Sequence, residues 1–342
     1  MKYQLNIEVI PGLIGYLYQN DWIDDTVKVN ASILKGGVSN RVVLLKFDDG
    51  ISWVLKQALY KLRVEEDWFS APERIFWEAE AMRWFEKYAP VDAVPKLIFE
   101  DQSHYLLAME AIQPPFINVK TLLLTDDPSN STCFSSAGKL LGSIQLQASR
   151  NPNEIPVLFQ DNQFFQTLRI EPYYLETIKA IPETESFLKD LISETFEDQF
   201  TLVHGDFSPK NLLMKDNELI LLDHEVLHFG DGTFDLGFFI CHLLSKANHR
   251  PDFRKAFIAG AISFFEAYQS IFGDLGKDRE FRVVRHTIAC LLARVCGLSQ
   301  LEYLTSDQRI RQQKVCMEMI QNTPQTINEF TEKINDLFNA KD

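Results

Sequence analysis

The sequence predicts an α+β protein of two lobes, with a small β-rich N-terminal lobe and a larger helical C-terminal lobe. The 342 residues exceed the roughly 250–300 residues at which a single core stops growing. Strand-like runs fill the first third of the chain, whereas helix-period apolar patterns fill the rest. We place the lobes at residues 1–111 and 112–342, because the proline-containing segment 111–118 is typical of a link.

The N-terminal lobe is predicted to hold several strands and one long helix. Asp48-Asp49-Gly50 joins the second strand to the third and is a hairpin signal. The helix has a proline near its start and apolar residues at helical spacing. The predicted elements are the strands Val27–Leu34, Arg41–Phe47 and Ile51–Gln57, the helix Pro72–Tyr88, and the strands Lys96–Glu100 and His104–Glu110.

The C-terminal lobe is predicted to be mainly helical around a short β patch. The predicted helices carry apolar residues at helical spacing. They are Ser135–Ser149, Glu185–Glu197, Phe234–Lys246, Phe253–Phe272, Glu280–Tyr303 and Asp307–Asn322. The β patch comprises Thr201–Val203, Leu212–Met214 and Leu219–Leu222.

Composition narrows the classes of function. Acidic residues number 48 and basic residues 34, so the net charge is −14. Nucleic-acid binding and adhesion to an anionic membrane both need a basic surface, so we expect neither partner. The uncharged stretch from Val9 to Asn20 is too short to cross a bilayer. The N-terminus shows no secretory signal and the five cysteines stand singly, so we expect reduced thiols in a cytoplasmic protein. We also expect a monomer or a homodimer.

The run from Leu202 to Asn211 has the pattern of a catalytic loop. A short apolar strand leads into His204-Gly205-Asp206, and Asn211 follows the aspartate by five positions. This is the spacing of the kinase loop H-R-D-x-x-x-x-N, with glycine in place of arginine. Asp206 is therefore a candidate catalytic residue that accepts the proton of a hydroxyl, and Asn211 is a candidate ligand of Mg²⁺. The alternative is a surface turn after a strand.

A second acidic motif follows the apolar run 219–222. The run ends in Asp223, at the position where a kinase holds the cation that bridges the nucleotide phosphates. Alternate residues of a strand share a face, so Glu225 is a further candidate metal ligand. The alternative, an aspartate that closes a hairpin, is disfavoured because both motifs occur in order.

A glycine-containing loop in the N-terminal lobe is a candidate phosphate-binding element. Gly36 and Gly37 lie between two predicted strands. Glycines let backbone N–H groups approach phosphates closely. Ser39 and Asn40 belong to the same loop, and we include them in the candidate nucleotide site.

Lys56 is the candidate ligand of the nucleotide phosphates. It lies in the strand that follows, where the kinase V-A-I-K lysine belongs. Its ion-pair partner should be a glutamate on the next helix, and both Glu78 and Glu80 qualify.

The order of these motifs resembles the aminoglycoside phosphotransferase and choline kinase superfamily, whose fold is protein-kinase-like. The resemblance covers nearly the whole chain. The family helix pattern R-E-A-x-x-L-x-W-L is similar to the run from Trp77 to Phe85, which implies that Glu78 is the partner of Lys56. ATP and Mg²⁺ are the cofactors that the resemblance implies.

The same resemblance implies a hinge between the lobes. Met109-Glu110-Ala111-Ile112 is similar to the family hinge. Main-chain groups of Glu110 and Ile112 would there contact adenine.

The chain also resembles the methylthioribose kinase branch. Lys56-Gln57-Ala58-Leu59, followed by Arg63-Val64 and Trp68, is similar to the N-terminal lobe of those kinases. Arg294 lies in a stretch where they carry a substrate-binding arginine pair, although Ala293 occupies the first position of the pair here. They also usually have serine in place of Asn211. These departures leave the acceptor open.

These residues together predict phosphoryl transfer from ATP to a hydroxyl of a small molecule, with a sugar such as methylthioribose as one acceptor. Asp206, Asp231 and Arg294 are the candidate acceptor-binding residues. Asp235 follows Asp223 by only twelve positions, which leaves little room for a segment that docks a peptide.

Two other classes of protein stay open. One is a nucleotide-binding pseudokinase, which an intact set of motif residues disfavours. The other is a zinc hydrolase, because His224-Glu225-Val226-Leu227-His228 satisfies H-E-x-x-H. That motif needs a helix to bring its two histidines to one face, and here an apolar strand precedes it.

Overall fold

The computed structural model of the chain describes residues 5–34, 37–65 and 67–340. Its strands are β1 (Val29–Ile33), β2 (Asn40–Phe47), β3 (Ser52–Ala58), β4 (Leu97–Asp101), β5 (Leu106–Glu110), β6 (Ile117–Asn118), β7 (Thr201–Val203), β8 (Leu212–Lys215), β9 (Glu218–Leu221) and β10 (His228–Gly230).

The helices make up most of the C-terminal part. They are α1 (Ile10–Gln19), α2 (Arg74–Tyr88), α3 (Val119–Thr125), α4 (Cys133–Arg150), α5 (Gln163–Phe165), α6 (Glu176–Ala180), α7 (Glu185–Glu197), α8 (Thr233–His249), α9 (Arg254–Phe272), α10 (Lys277–Cys296), α11 (Ser306–Gln321) and α12 (Ile327–Ala340). A π-helix, Gln166–Leu175, joins α5 to α6.

The N-terminal part is built on a five-stranded antiparallel sheet in the order β1-β2-β3-β5-β4. The predicted hairpin at Asp48–Gly50 is confirmed, since Lys46 pairs with Ser52 across it. Side chains of β3 alternate between the two faces of the sheet. Leu55 belongs to the core beneath α1, whereas Lys56 lines the cleft on the other face. The register of one strand therefore turns the candidate lysine toward the site.

Helix α1 covers the outer face of the sheet and was not predicted. Gly12 and Gly15 lower the helix propensity of this segment. Leu13 and Leu17 are nevertheless one turn apart, and both are fully buried against the sheet. The burial of this apolar stripe outweighs the weak local propensity.

The C-terminal part is organised around α8, which is buried on all sides from Thr233 to Asn248. Helices α4 and α9 pack against each other at unusually close range. A Cβ atom on Gly138 would lie 2.2 Å from the carbonyl oxygen of Phe264, so only glycine allows this approach of the two backbones. The predicted α+β architecture of two parts is confirmed, while the boundary between residues 111 and 112 stays a prediction.

Two small sheets, β7–β10 and β6–β8–β9, present the predicted catalytic segments. The sequence HGD follows β7 directly, and Asp223 lies two residues beyond the end of β9. The amide of Leu222 donates to the carbonyl of Asn211 at 2.9 Å and holds the two segments together. The two motifs, separate in sequence, are therefore neighbours in the fold.

The predicted helix Glu280–Tyr303 is too long at its C-terminal end. Helix α10 ends at Cys296, because the next residues turn toward the π-helix and the amide of Leu298 donates to the carbonyl of Pro172 at 3.0 Å. Helix α12 was missed, although its buried residues, Phe330, Ile334 and Phe338, recur every four positions.

Two further observations concern the state of the cysteines and the presence of membrane-spanning helices. All five cysteines are free, and four of them are buried. Within the described ranges, no helix has the length and apolar character needed to cross a bilayer.

Candidate active site

Lys56 lies at the centre of a partly buried ion-pair triad. Its Nζ atom is 2.6 Å from Oε1 of Glu78 and 2.7 Å from Oδ1 of Asp223. Strand β3 contributes the lysine, α2 the glutamate and the loop after β9 the aspartate. The other candidate partner, Glu80, forms an ion pair with Arg83 on the surface of the same helix. The structure thus brings Lys56 together with Glu78, the glutamate that the resemblance implied.

The charges of this triad depend on one another. Burial disfavours the charged form of Lys56, but Asp223 and Glu78 outweigh it and raise the pKa of the ammonium group. Burial raises the pKa of Glu78 to about 7, although Lys56 opposes the shift. Asp223 has its pKa held below its usual range by Lys56 and Lys210, in spite of burial. At neutral pH the triad therefore keeps a charged lysine and an ionised aspartate.

Asp206 lies in a separate cluster formed by the catalytic loop. Its Oδ2 atom accepts a hydrogen bond from Nδ2 of Asn211 at 2.8 Å and lies 2.9 Å from Nζ of Lys210. Its Oδ1 atom lies 3.1 Å from Nη2 of Arg169 on the π-helix. Burial opposes ionisation of Asp206, but the two cations outweigh it and lower the pKa. The carboxylate is thus ionised and held in a fixed orientation.

Asp235, at the start of α8, braces the catalytic loop from behind. Its two carboxylate oxygens accept hydrogen bonds from the amides of His204 at 2.7 Å and Gly205 at 2.8 Å. Burial raises the pKa of Asp235 to about 7 even though these bonds oppose the shift. This residue therefore positions the backbone that carries Asp206.

Gly205 has a conformation that other residues adopt with difficulty. Its φ angle is +73°, and an added Cβ would lie 2.6 Å from Cγ1 of Val226. We expect Gly205→Ala to lower the free energy of unfolding by about 3 kcal/mol, from backbone strain and overpacking together. The matched control is Gly276→Ala, where φ is +78° but no atom lies within 4 Å of the added Cβ. Urea denaturation of both variants tests this, and equal losses would contradict the steric argument.

Three carboxylates form a candidate cation site around Lys56. Ligand atoms of Glu78, Asp223 and Glu225 lie within 4.8 Å of one another. Asn211, which the sequence also predicted as a metal ligand, lines the same cleft as Asp223. Carboxylate and amide oxygens are the donors that Mg²⁺ and Ca²⁺ prefer, so these residues fit a hard divalent cation.

Glu225 also connects the glycine-containing loop to the segment after β9 that carries Asp223. Its Oε2 atom accepts from Nδ2 of Asn40 at 2.9 Å and from Nε of Arg74 at 3.1 Å. Arg74 is fully buried, and its other nitrogens donate to backbone carbonyls that include those of Ser39 and Leu59. Because Oε2 has two donors, the other carboxylate oxygen is the one available to a cation.

A cleft of about 530 Å³ adjoins Lys56 and contains residues of both lobes. Its predicted lining residues are Gly37, Ser39, Asn40, Met109, Glu110 and Ile112. Gly36, also predicted, lies outside the described residues.

The backbone of the hinge is partly engaged within the lobe. The amide of Glu110 donates to the carbonyl of Lys96, and the amide of Ala111 donates to the carbonyl of Ser52, each at 2.9 Å. Hydrogen bonds from the hinge backbone to the adenine base of a nucleotide would therefore come from the Glu110 carbonyl and the Ile112 amide.

The structure does not bring Asp231 to the site. Its buried carboxylate lies 2.6 Å from Nε of Arg282 and accepts from the backbone amide and hydroxyl of Thr233. The expectation that Asp231 lines an acceptor pocket is corrected here, because the side chain has no surface from which to contact an acceptor. Its contacts instead connect α10 to the start of α8.

Arg294 lies beside Tyr173, a residue that Arg169 also contacts. Its Nη1 atom donates to the hydroxyls of Tyr173 at 2.9 Å and Ser299 at 2.7 Å. Arg169, which contacts Asp206, lies over the same tyrosine ring. The two guanidinium groups thus share one aromatic ring as a neighbour.

The zinc-site alternative is wrong. Residues 224–228 run through a turn into β10 rather than along a helix. His224 lies 3.2 Å from His204, whereas His228 bonds the carbonyl of Val226 and stacks on Phe165. Among residues 5–34, 37–65 and 67–340, the one cluster of potential metal ligands is the carboxylate group around Lys56.

Sequence reasoning missed three charged residues of the site. Lys210 stands four positions after Asp206 within the predicted loop, so its spacing was a usable signal. Arg169 lies between Leu168 and Ile170, and an arginine in such apolar surroundings indicates a buried, paired charge. Arg74 gave no signal, because its partners come from distant loops.

The comparisons with known proteins agree with this geometry. The model of the phosphotransferase enzyme family matches residues 30–271. The chain belongs to this family. The predicted resemblance to aminoglycoside phosphotransferases and choline kinases is thereby confirmed.

Curated relatives of this family member include methylthioribose kinases. That of Geobacillus thermodenitrificans is 23% identical over 255 residues, which cover 66% of this chain and 62% of that protein. That of Bacillus cereus is 23% identical over 360 residues, which cover 88% of this chain and 89% of that protein. The chain therefore spans less than two thirds of the first relative and most of the second.

A solved phosphotransferase structure shares the fold. Amicoumacin kinase, in complex with AMP-PNP, Ca²⁺ and Ami, has a TM-score of 0.59 and 14% identity, over 96% of this chain and 99% of that chain. At this identity the likeness shows the fold, and the predicted protein-kinase-like fold class is confirmed.

Proposed function

We propose that the chain transfers the γ-phosphoryl group of ATP to a hydroxyl of a small molecule, with Mg²⁺ as the divalent cation. The observation that carries the proposal is the contact of Lys56 with both Glu78 and Asp223. Membership of the phosphotransferase family and the kinase names of the curated relatives support it.

The proposal assigns the chemical step to Asp206. Phosphoryl transfer proceeds through a loose transition state, so catalysis needs mainly orientation and stabilisation of charge. The lowered pKa of Asp206 keeps its carboxylate ionised at neutral pH. The carboxylate would accept a hydrogen bond from the acceptor hydroxyl, orient it, and take its proton as the new bond to phosphorus forms.

Charged groups around Asp206 and Lys56 would bind the phosphates. Lys56 bears a charge that Glu78 and Asp223 stabilise, and it would contact the α- and β-phosphates. A cation bound by Asp223, Asn211 and Glu225 would neutralise phosphate charge. Nδ2 of Asn211 donates to Asp206, so its Oδ1 atom is the one free for this purpose.

The alternative of a nucleotide-binding pseudokinase has less support. A pseudokinase usually lacks a member of the catalytic set, whereas Lys56, Asp206, Asn211 and Asp223 are all present and paired. A cytoplasmic location and a monomeric or homodimeric state stay predictions.

Acceptor-dependent release of ADP tests the proposed function. We expect at least one compound, in a panel of neutral sugars including methylthioribose, sugar acids, amino alcohols and aminoglycosides, to raise ADP release from MgATP at least tenfold. Chelation of divalent cations with EDTA should remove this stimulation. Tight MgATP binding without stimulation by any compound would instead favour the pseudokinase.

A further inference from the structure

A group of basic side chains lies in the helical lobe and is connected to Asp206 through Arg169. It comprises Arg294 on α10, Lys246 on α8 and Lys120 on α3, and we call it the basic cluster. Arg169 joins the cluster to the catalytic loop, since its guanidinium is 3.1 Å from Asp206 and 5.6 Å from the ring centre of Tyr173. Arg294 lies 5.7 Å from the same ring centre. Two side chains, those of Arg169 and Tyr173, therefore connect the candidate catalytic carboxylate to the cluster.

Lys246 is a buried amino group to which no carboxylate of the described residues is bonded. The residue is 1% exposed, and its Nζ atom donates to the carbonyl of His242 at 3.2 Å. The same atom lies 5.4 Å from the ring centre of Tyr303. A buried ammonium group without a paired anion is costly, so this position needs a reason.

The charges around Lys246 are mainly positive. Burial, together with the neighbouring Lys120 and Arg294, lowers the pKa of Lys246 to about 7, against the opposing effects of Cys241 and Glu302. Lys120 already has Glu302 as an ion-pair partner. No acidic side chain described in the structure is bonded to Lys246 itself.

Arg294 is likewise without a carboxylate partner among the residues that the structure describes. The residue is 8% exposed and donates only to two hydroxyls, those of Tyr173 and Ser299. Its Nε atom is buried and has no hydrogen-bond partner, and the same is true of the Tyr303 hydroxyl. Buried polar groups normally have partners, so these two atoms have hydrogen-bonding capacity that a polar ligand could satisfy.

The nearby carboxylates already form ion pairs with other basic side chains. Asp206 contacts Arg169 and Lys210, and Glu302 contacts Lys120. The chain as a whole has a net charge of −14. An excess of buried cations next to the catalytic loop is therefore a local property of this site and does not reflect the composition of the protein.

We propose that the acceptor carries an anionic group, a carboxylate or a phosphate, which Arg294 and Lys246 bind while its hydroxyl faces Asp206. This inference rests on the proposed function. A neutral sugar would leave both cations unpaired, and a polycationic aminoglycoside would be repelled by them. An anion would gain charge-assisted hydrogen bonds in a desolvated site, where such bonds are strongest.

Matched pairs of acceptors test the charge requirement. ADP release from MgATP is measured with glycerate and glycerol, gluconate and glucose, and ribose 5-phosphate and ribose, with methylthioribose and kanamycin as further compounds. We expect kcat/KM for the acid to exceed that for its neutral partner at least tenfold in one or more pairs. The glycerate and gluconate pairs test for a carboxylate on the acceptor, and the ribose 5-phosphate pair tests for a phosphate.

The Lys246→Met variant tests the role of one cation. Methionine keeps the length of the side chain and removes a buried charge, so the variant should fold. We expect KM for the preferred acid to rise at least tenfold while KM for MgATP changes less than twofold. The control is Lys189→Met, which removes the same charge from an exposed position on α7.

The outcomes separate this inference from the proposed function. A neutral or cationic acceptor that is used as well as the acids would overturn the inference and leave the kinase function standing. If no compound raises ADP release, binding of the same acids is measured by calorimetry with the non-hydrolysable analogue AMP-PNP and Mg²⁺ present. Failure of every acid to bind then overturns the inference, whereas failure of MgATP to bind overturns the proposed function.

Discussion

The Asp206→Asn variant is expected to transfer phosphate at least about a thousandfold more slowly than the wild type, within the range known for loss of a general base. Asparagine keeps the size of the side chain but cannot accept the proton of the acceptor hydroxyl. Asp206 is not among the residues that line the nucleotide cleft, so MgATP affinity should change by no more than a few-fold. Single-turnover kinetics and calorimetry measure these two quantities separately.

The same substitution removes charge from a buried cluster, so stability has to be followed as well. Arg169 and Lys210 lose their shared carboxylate, and thermal denaturation shows whether the variant is folded at the assay temperature. Asp252→Asn, at an exposed position before α9, is the charge-matched control. Turnover of folded Asp206→Asn within tenfold of the wild type would exclude Asp206 as the proton acceptor.

The Asp223→Asn variant is expected to weaken MgATP binding at least tenfold. Asp223 carries one of the candidate metal-binding carboxylates and also lies 2.7 Å from Lys56. Its φ angle is +70°, a conformation that asparagine tolerates better than alanine, so the backbone should keep its course. Binding of metal-free ATP should change much less, because the loss concerns the cation and not the base.

The control for this variant is Asp216→Asn. Asp216 lies in the exposed turn between β8 and β9 and has a φ angle of +53°, so it undergoes the same substitution in a similar backbone conformation. Calorimetric titrations with and without Mg²⁺ compare the two variants. An equal affinity of wild type and Asp223→Asn for MgATP would mean that the cation binds elsewhere.

Spacing along the chain was sufficient to predict the parts of the site that depend on local structure. The residues Asp206 and Asn211 belong to one loop, and their hydrogen bond follows directly from the five-residue interval. Lys56 could be placed on a strand with one face toward the cleft, because β-strands alternate their side chains. The choice of Glu78 over Glu80 needed the family helix pattern, since both lie on the same helix.

Contacts between distant segments could not be predicted in this way. Arg169 approaches Asp206 through a π-helix that no period of the sequence indicates. Asp231 was expected in the acceptor pocket, but Arg282 of α10 neutralises it inside the core. Asn40 was predicted to bind nucleotide, and its side chain donates to Glu225, a residue of the other lobe. Each of these contacts depends on tertiary packing.

The most direct test of the central claim is transfer of a labelled γ-phosphoryl group. The wild type and Asp206→Asn are incubated with ATP labelled with ¹⁸O in the γ-phosphate, Mg²⁺ and a metabolite extract, and mass spectrometry follows small molecules that acquire the label. We predict a labelled phosphomonoester with the wild type and none with the variant. A wild type that binds MgATP but labels no small molecule would contradict the account.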